Sequence, residues 1–154
     1  MDSGRRKVLQ GTGGLAVLGL AVAAGLLKPG VARAEWNKEA FSTKSFADAV
    51  KAMGGSQPAE SKEITINSPD IAENGAVVPV AVTSKIPNTQ SISIIAEKNP
   101  FPLAATFDLS GGSESYISTR IKMGQTSNMR VVVKADGKFY TAAKEVKVTI
   151  GGCG

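Results

Sequence analysis

Two stretches of this chain alternate residue by residue, and the alternation limits what it can fold into. Leu103, Ala105, Phe107 and Leu109 are separated by Ala104, Thr106 and Asp108; Ile117, Thr119, Ile121 and Met123 are separated by Ser118, Arg120 and Lys122. A period of two places successive side chains on opposite faces of an extended backbone, so each stretch describes a strand with one buried and one solvated face. Further strand candidates lie at 63–66, 76–84, 91–97, 129–135 and 138–150. Between these runs stand Asn74-Gly75, Pro87-Asn88, Asn99-Pro100, Gly111-Gly112 and Asp136-Gly137, and Asp-Gly between two such runs is a strong hairpin signal. Seven strands at short spacing, with no helix among them, predict an all-β fold: an immunoglobulin-like antiparallel β-sandwich. Pro79 has no N–H to give to a ladder, which predicts that its strand lies at a sheet edge.

The sandwich is expected to occupy residues 60–150. Ahead of it, 35–55 reads as an N-terminal helical segment. Trp36, Phe41, Phe46, Ala49, Val50 and Met53 fall near helical spacing, Ser45 followed by Asp48 resembles a capping box, and Gly54-Gly55 supplies a stop.

Residues 1–34 have a different character. A basic stretch, Arg5-Arg6-Lys7, precedes an apolar run of Gly, Ala, Val and Leu and then the small-residue site Ala32-Arg33-Ala34, the layout of a cleavable export signal. Cleavage is expected between Ala34 and Glu35. The paired Arg5 and Arg6 resemble a twin-arginine (Tat) signal, with Val8 where phenylalanine is usual and Gln10 where lysine is usual. The expected location is therefore the periplasm, reached through the Tat translocase, and the apolar run is too short and glycine-rich to predict a stable membrane anchor.

Charge reads differently once this segment is set aside. Of 18 basic and 13 acidic residues, five basic and one acidic lie before position 35, which leaves thirteen and twelve. The nearly neutral remainder has no basic footprint of the kind that nucleic-acid binding requires.

Much catalytic equipment is absent. The chain has no histidine and one cysteine, which excludes Ser-His-Asp and Cys-His nucleophile systems, histidine metal sites and zinc or iron–sulfur clusters built on several cysteines. Glu63, Glu97, Asp108 and Glu114 are scattered singly and read as a solvated polar surface. Gly111-Gly112-Ser113 reads as a turn, because no Lys-Ser/Thr follows to complete a phosphate cradle. No self-contained active site is expected, and no catalytic or metal-binding residue is assigned.

The remaining chemistry sits at the end: Val146-Lys147-Val148-Thr149-Ile150 runs into Gly151-Gly152-Cys153-Gly154. An alternating strand hands over to glycines that carry a single thiol, a poor composition for packing and a good one for presenting. Four residues at roughly 3.3–3.6 Å each reach about 13–14 Å beyond the strand, and glycine keeps such a tail thin enough for a narrow channel. Residues 151–154 are thus expected to be a flexible arm with Cys153 as an attachment point. A free thiol ionises near about 8.5, and the sequence sets no charged or histidine neighbour beside Cys153 to lower that value. Other readings of an odd cysteine in an exported chain remain open: an intermolecular disulfide in a structural or interaction module, or burial as a small apolar residue. A ubiquitin-like modifier fits less well, since Cys153 and Gly154 follow the glycine pair and no central helix interrupts the strands.

Taken together, the paired arginines, the helical lead, the β-rich domain, residues 71–80 (Ile-Ala-Glu-Asn-Gly-Ala-Val-Val-Pro-Val) and the Gly-Gly-Cys-Gly ending closely resemble the SoxY family, the sulfur-carrier subunits of the periplasmic thiosulfate-oxidising (Sox) system. The resemblance implies that Cys153 covalently holds sulfur intermediates, that Gly151, Gly152 and Gly154 form the carrier arm, and that the chain itself carries no cofactor. It further implies a heterodimer with SoxZ and transient contacts with SoxAX, SoxB and, where present, a sulfane dehydrogenase.

Overall fold

The computed structural model describes residues 36–109 and 111–149. Its longest ladder is a hairpin of β8 (Ser127–Ala135) and β9 (Lys138–Val148). Asp136 and Gly137 take φ of 48° and 72° between them. Two consecutive left-handed residues make a turn whose twist matches that of paired strands, which is why Asp-Gly works here. β5 (Thr89–Ala96) pairs with the other edge of β8, and β6 (Leu103–Asp108) with the far edge of β5, all antiparallel. Along the free edge of β9, two-residue strands pair in parallel: β1 (Ala59–Glu60) near its beginning and β3 (Ile71–Ala72) at its end. A second sheet has the order β2 (Ile64–Asn67), β4 (Val78–Ser84), β7 (Tyr116–Ile121), again antiparallel.

β2 and β4 to β9 correspond to the seven expected strands, and the all-β sandwich is the observed fold. β1 and β3 are additions. Two residues cannot display an alternation, so neither could be read from a pattern.

The two sheets share one core. Val78, Val80 and Val82 of β4 with Ile117 and Ile121 of β7 meet Ile92 and Ile94 of β5, Met129, Val131 and Val133 of β8, and Val146 of β9. The larger sheet is also covered on its outer face. There Ile95, Leu103 and Val132 pack with Ala40, Ala49 and Val50 of two short helices, α1 (Lys38–Phe41) and α2 (Phe46–Ala52). Burial on both faces explains why Ile94-Ile95-Ala96 and Val131-Val132-Val133 are continuous apolar runs where a half-buried strand would alternate.

The helical segment departs from its expected continuity. Ser45 has extended backbone angles and its hydroxyl accepts the Asp48 N–H at 3.1 Å, so the capping signal starts a second helix and breaks the first. Asn37 caps α1 and also donates to the Ala52 carbonyl at 2.6 Å, which ties the two short pieces together. Trp36 precedes α1 and stays 61% exposed, touching Phe41 with ring centroids 5.2 Å apart.

Pro79 corrects a second expectation, for β4 is the central strand of its sheet. The Ser84 N–H points to β7 and the Lys85 N–H to β2, so by alternation the nitrogen of Pro79 faces the β2 side. β2 has already ended there, since its last pair is Asn67 with Ala81. The proline sits where a central strand is locally an edge, and no ladder bond is lost.

Ile94 lies at the centre of this core with no exposure. Ile94→Ala is expected to cost about 2–5 kcal/mol through lost burial and the cavity left behind. Chemical denaturation of the purified chain measures this directly.

Candidate functional site

Gly151, Gly152, Cys153 and Gly154 lie outside the described residues, as do Arg5, Arg6, Ala34 and Glu35. What the structure describes is the place from which residues 150–154 depart, the end of β9. Backbone N–H groups of a strand point alternately to either side, and here both sides are occupied to the end. Toward β3, Lys147 N–H donates to the Asp70 carbonyl at 2.9 Å and Thr149 N–H to the Ala72 carbonyl at 3.1 Å. Toward β8 the regular ladder stops at Ser127 with Val146. The next rung belongs to a side chain: Val148 N–H donates to Thr126 Oγ1 at 2.9 Å, and the same hydroxyl lies 3.4 Å from the Val148 carbonyl as a donor.

The strap that carries β3 is itself held. Lys144 Nζ donates to the Ser68 carbonyl and pairs with Asp70 at 3.0 Å. Asn74 makes a tight turn in which its side chain accepts the Ala76 N–H at 2.9 Å and its carbonyl accepts the Val77 N–H at 3.2 Å. Gly75 then presses onto the root of the tail. Its carbonyl accepts the Met123 N–H at 2.7 Å, and a Cβ at this position would stand 2.7 Å from Val148 Cγ1 and closer still to the Met123 carbonyl oxygen. Glycine is needed at 75 for close approach, whereas the sequence suggested only a turn. On the other flank, Asn99 bridges the loop that delivers Thr126, donating to the Lys122 carbonyl at 2.7 Å and accepting the Gly124 N–H at 3.0 Å.

The scattered carboxylates stay apart. Glu63, Asp108 and Glu114 are exposed, and Glu97 pairs with Arg130 and accepts from Asn128. Among the described residues no three His, Cys, Asp or Glu come together. Two shallow surface clefts, one between residues 54–59 and 137–140, the other around Asn88–Gln90 and Gly111–Ser115, are lined without a carboxylate or a thiol. Gly112, with φ of 88°, confirms the turn expected at Gly111-Gly112. No helix among the described residues is long and apolar enough to cross a membrane.

The family model described as "Sulfur oxidation protein SoxY" matches residues 49–153. This chain belongs to the SoxY family. A solved structure similar to it is that of the sulfur carrier protein SoxY from Chlorobium limicola f thiosulfatophilum, at 48% identity and a TM-score of 0.61, covering 67% of this chain and 94% of that one. No curated protein sequence matches. Within the SoxY frame, segment 71–80, one of the stretches that carried the sequence resemblance, supplies β3 and Gly75, which brace the last residues of β9, ahead in sequence of the Gly-Gly-Cys-Gly ending. The sequence marked Asn99 only as part of a turn and gave no signal for Thr126, whose role depends on the register in which β8 and β9 stop pairing.

Gly75→Ala is expected to destabilise the domain by about 1–3 kcal/mol, the usual cost of overpacking. In a thermal melt its transition falls below that of the parent chain, and amide exchange rises first in strap 70–77 and at the end of β9.

Proposed function

We propose that this chain is a covalent carrier of sulfur in thiosulfate oxidation and that Cys153 is the attachment point. One observation carries the reading: the SoxY match runs through residue 153, where the sequence holds its only thiol. The sulfur carrier named in the similar structure supports the role. The braced end of β9 supports the mechanics, since a cargo-bearing tail needs a firm origin. From Thr149, four residues give Cys153 a reach of about 13–14 Å.

The chemistry is supplied by visiting enzymes. Oxidative coupling by the haem enzyme SoxAX joins the Cys153 thiolate to the outer sulfur of thiosulfate, forming one S–S bond and passing two electrons to the haem side; the product is a cysteine S-thiosulfonate. Hydrolysis by the manganese enzyme SoxB breaks the bond between that sulfur and the sulfonate, with water supplying the new oxygen. Sulfate and two protons leave and a persulfide stays on Cys153. Where a sulfane dehydrogenase is present, it oxidises the remaining sulfur. The carrier catalyses none of these steps and carries no cofactor of its own. Gly151, Gly152 and Gly154 supply no side chain to obstruct entry into an active-site channel.

In this reading the chain works as a heterodimer with SoxZ in the periplasm. Arg5 and Arg6 direct it to the Tat translocase, which moves folded proteins, and cleavage between Ala34 and Glu35 releases the mature chain. Thin, presentable and chemically plain, the tail leaves activation of the thiol to the enzyme it visits.

Cys153→Ser is expected to fold and melt like the parent and to lose all sulfur uptake when incubated with thiosulfate and oxidised SoxAX. Thiosulfate-dependent electron transfer that survives in this variant contradicts the carrier reading. A disulfide-linked dimer on non-reducing gels as the only functional form favours a structural module instead.

A further inference from the structure

The hydroxyl of Thr126 does more than a surface threonine ordinarily does. β8 and β9 stop exchanging backbone bonds at Ser127 and Val146, and in the same register Val148 would next face Gln125. That rung is not made by the backbone of Gln125. Instead Thr126 Oγ1 accepts from Val148 N–H at 2.9 Å and reaches the Val148 carbonyl at 3.4 Å, standing in for both halves of a backbone pair. Gln125 turns its own side chain away to the Lys98 carbonyl at 3.2 Å, and Asn99 fixes the loop behind it. On the opposite edge Lys147 and Thr149 are bonded to Asp70 and Ala72. With Thr126 in place, Val148 is held from both sides, and the strand stays in register two residues beyond its last regular pair with β8.

Resting on the carrier reading above, we propose that Thr126 is a positioning residue for Cys153: its hydroxyl fixes the end of β9 from which the carrier arm begins and so sets the arm's aim. An unpaired backbone group at a strand end exchanges its partner for water and lets the strand fray. Without the hydroxyl, the end of β9 is held only on the β3 side, through Lys147 and Thr149, so Val148 swings away from β8 and the origin of the arm is no longer fixed. An arm with a loose origin explores a larger volume, so the time its end spends at any one target falls. The loss acts on delivery of the thiol to an enzyme and not on the thiol itself. Thr126 touches no sulfur in this scheme; it works through the backbone of Val148.

The test uses the full mature chain in its SoxZ complex, with Thr126→Val, which keeps the shape and removes the hydroxyl, and Thr126→Ser, which keeps the hydroxyl. In Thr126→Val, exchange of the Val148 amide is expected to rise by roughly fivefold or more, the loss of one hydrogen bond. The rate at which oxidised SoxAX couples thiosulfate to Cys153 is expected to fall by about tenfold, as misplacement of a reacting group does. Alkylation of Cys153 by iodoacetamide, which needs no docking, stays at the parent rate, and Thr126→Ser restores both exchange and coupling. A Thr126→Val chain that exchanges faster yet couples thiosulfate at the parent rate overturns the proposal, and so does a Thr126→Ser chain that behaves like Thr126→Val. A parent chain that takes up no sulfur at all removes the carrier reading, and with it this role; parent and variant loading alike removes only the role of Thr126.

Discussion

Backbone N–H and C=O groups along β9 have to find partners, and the way they find them organises the molecule. For most of its length β8 supplies one side, through a ladder that runs from Ala135 with Lys138 to Ser127 with Val146. The other side is closed in pieces, by β1 near the start and β3 at the end, with the segment between them crossing over to build β2 of the second sheet. The strap that carries β3 and Gly75 lies there with Lys144 donating to the Ser68 carbonyl, and Gly75 has no side chain to keep it off Val148. One pairing requirement therefore links the hairpin, the parallel edge strands and the second sheet.

That arrangement gives the fold its polarity. Burial of the larger sheet on both faces, by the second sheet inside and by α1 and α2 outside, concentrates stability in β5 and β8. β9, paired along β8, extends this rigid part to the last described residues of the chain. Under the proposed function the division of labour is physical: a stiff sandwich supplies the origin, four residues supply the reach, and one sulfur atom supplies the chemistry.

Much of this was legible in the chain before folding. Seven strands were visible, two because alternation needs only a half-buried face and the others as short runs set between turn residues, and the Asp136-Gly137 turn because few residues tolerate two left-handed positions in succession. Ser45 carried a true signal whose meaning was a break, since a cap begins a helix wherever it stands. Pro79 misled because proline reports a missing bond on one side of one residue, whereas β4 has its partners further along. Thr126, the bridging role of Asn99 and the pairing of β3 were invisible for a different reason. Each works through a register between distant segments, and no local pattern encodes where two strands cease to pair. Cys153 shows the reverse case: its interest lay wholly in the sequence, in a single thiol set among glycines after a strand.

The central claim is that sulfur travels on one atom of this chain. Mass spectrometry of the intact protein and of its C-terminal peptide, recovered from periplasm exposed to thiosulfate and measured with and without reductant, tests it most directly. The account predicts reductant-labile sulfur and thiosulfonate adducts confined to Cys153. A bare thiol under the same conditions, or Cys153 found only in a disulfide to another protein chain, would contradict it.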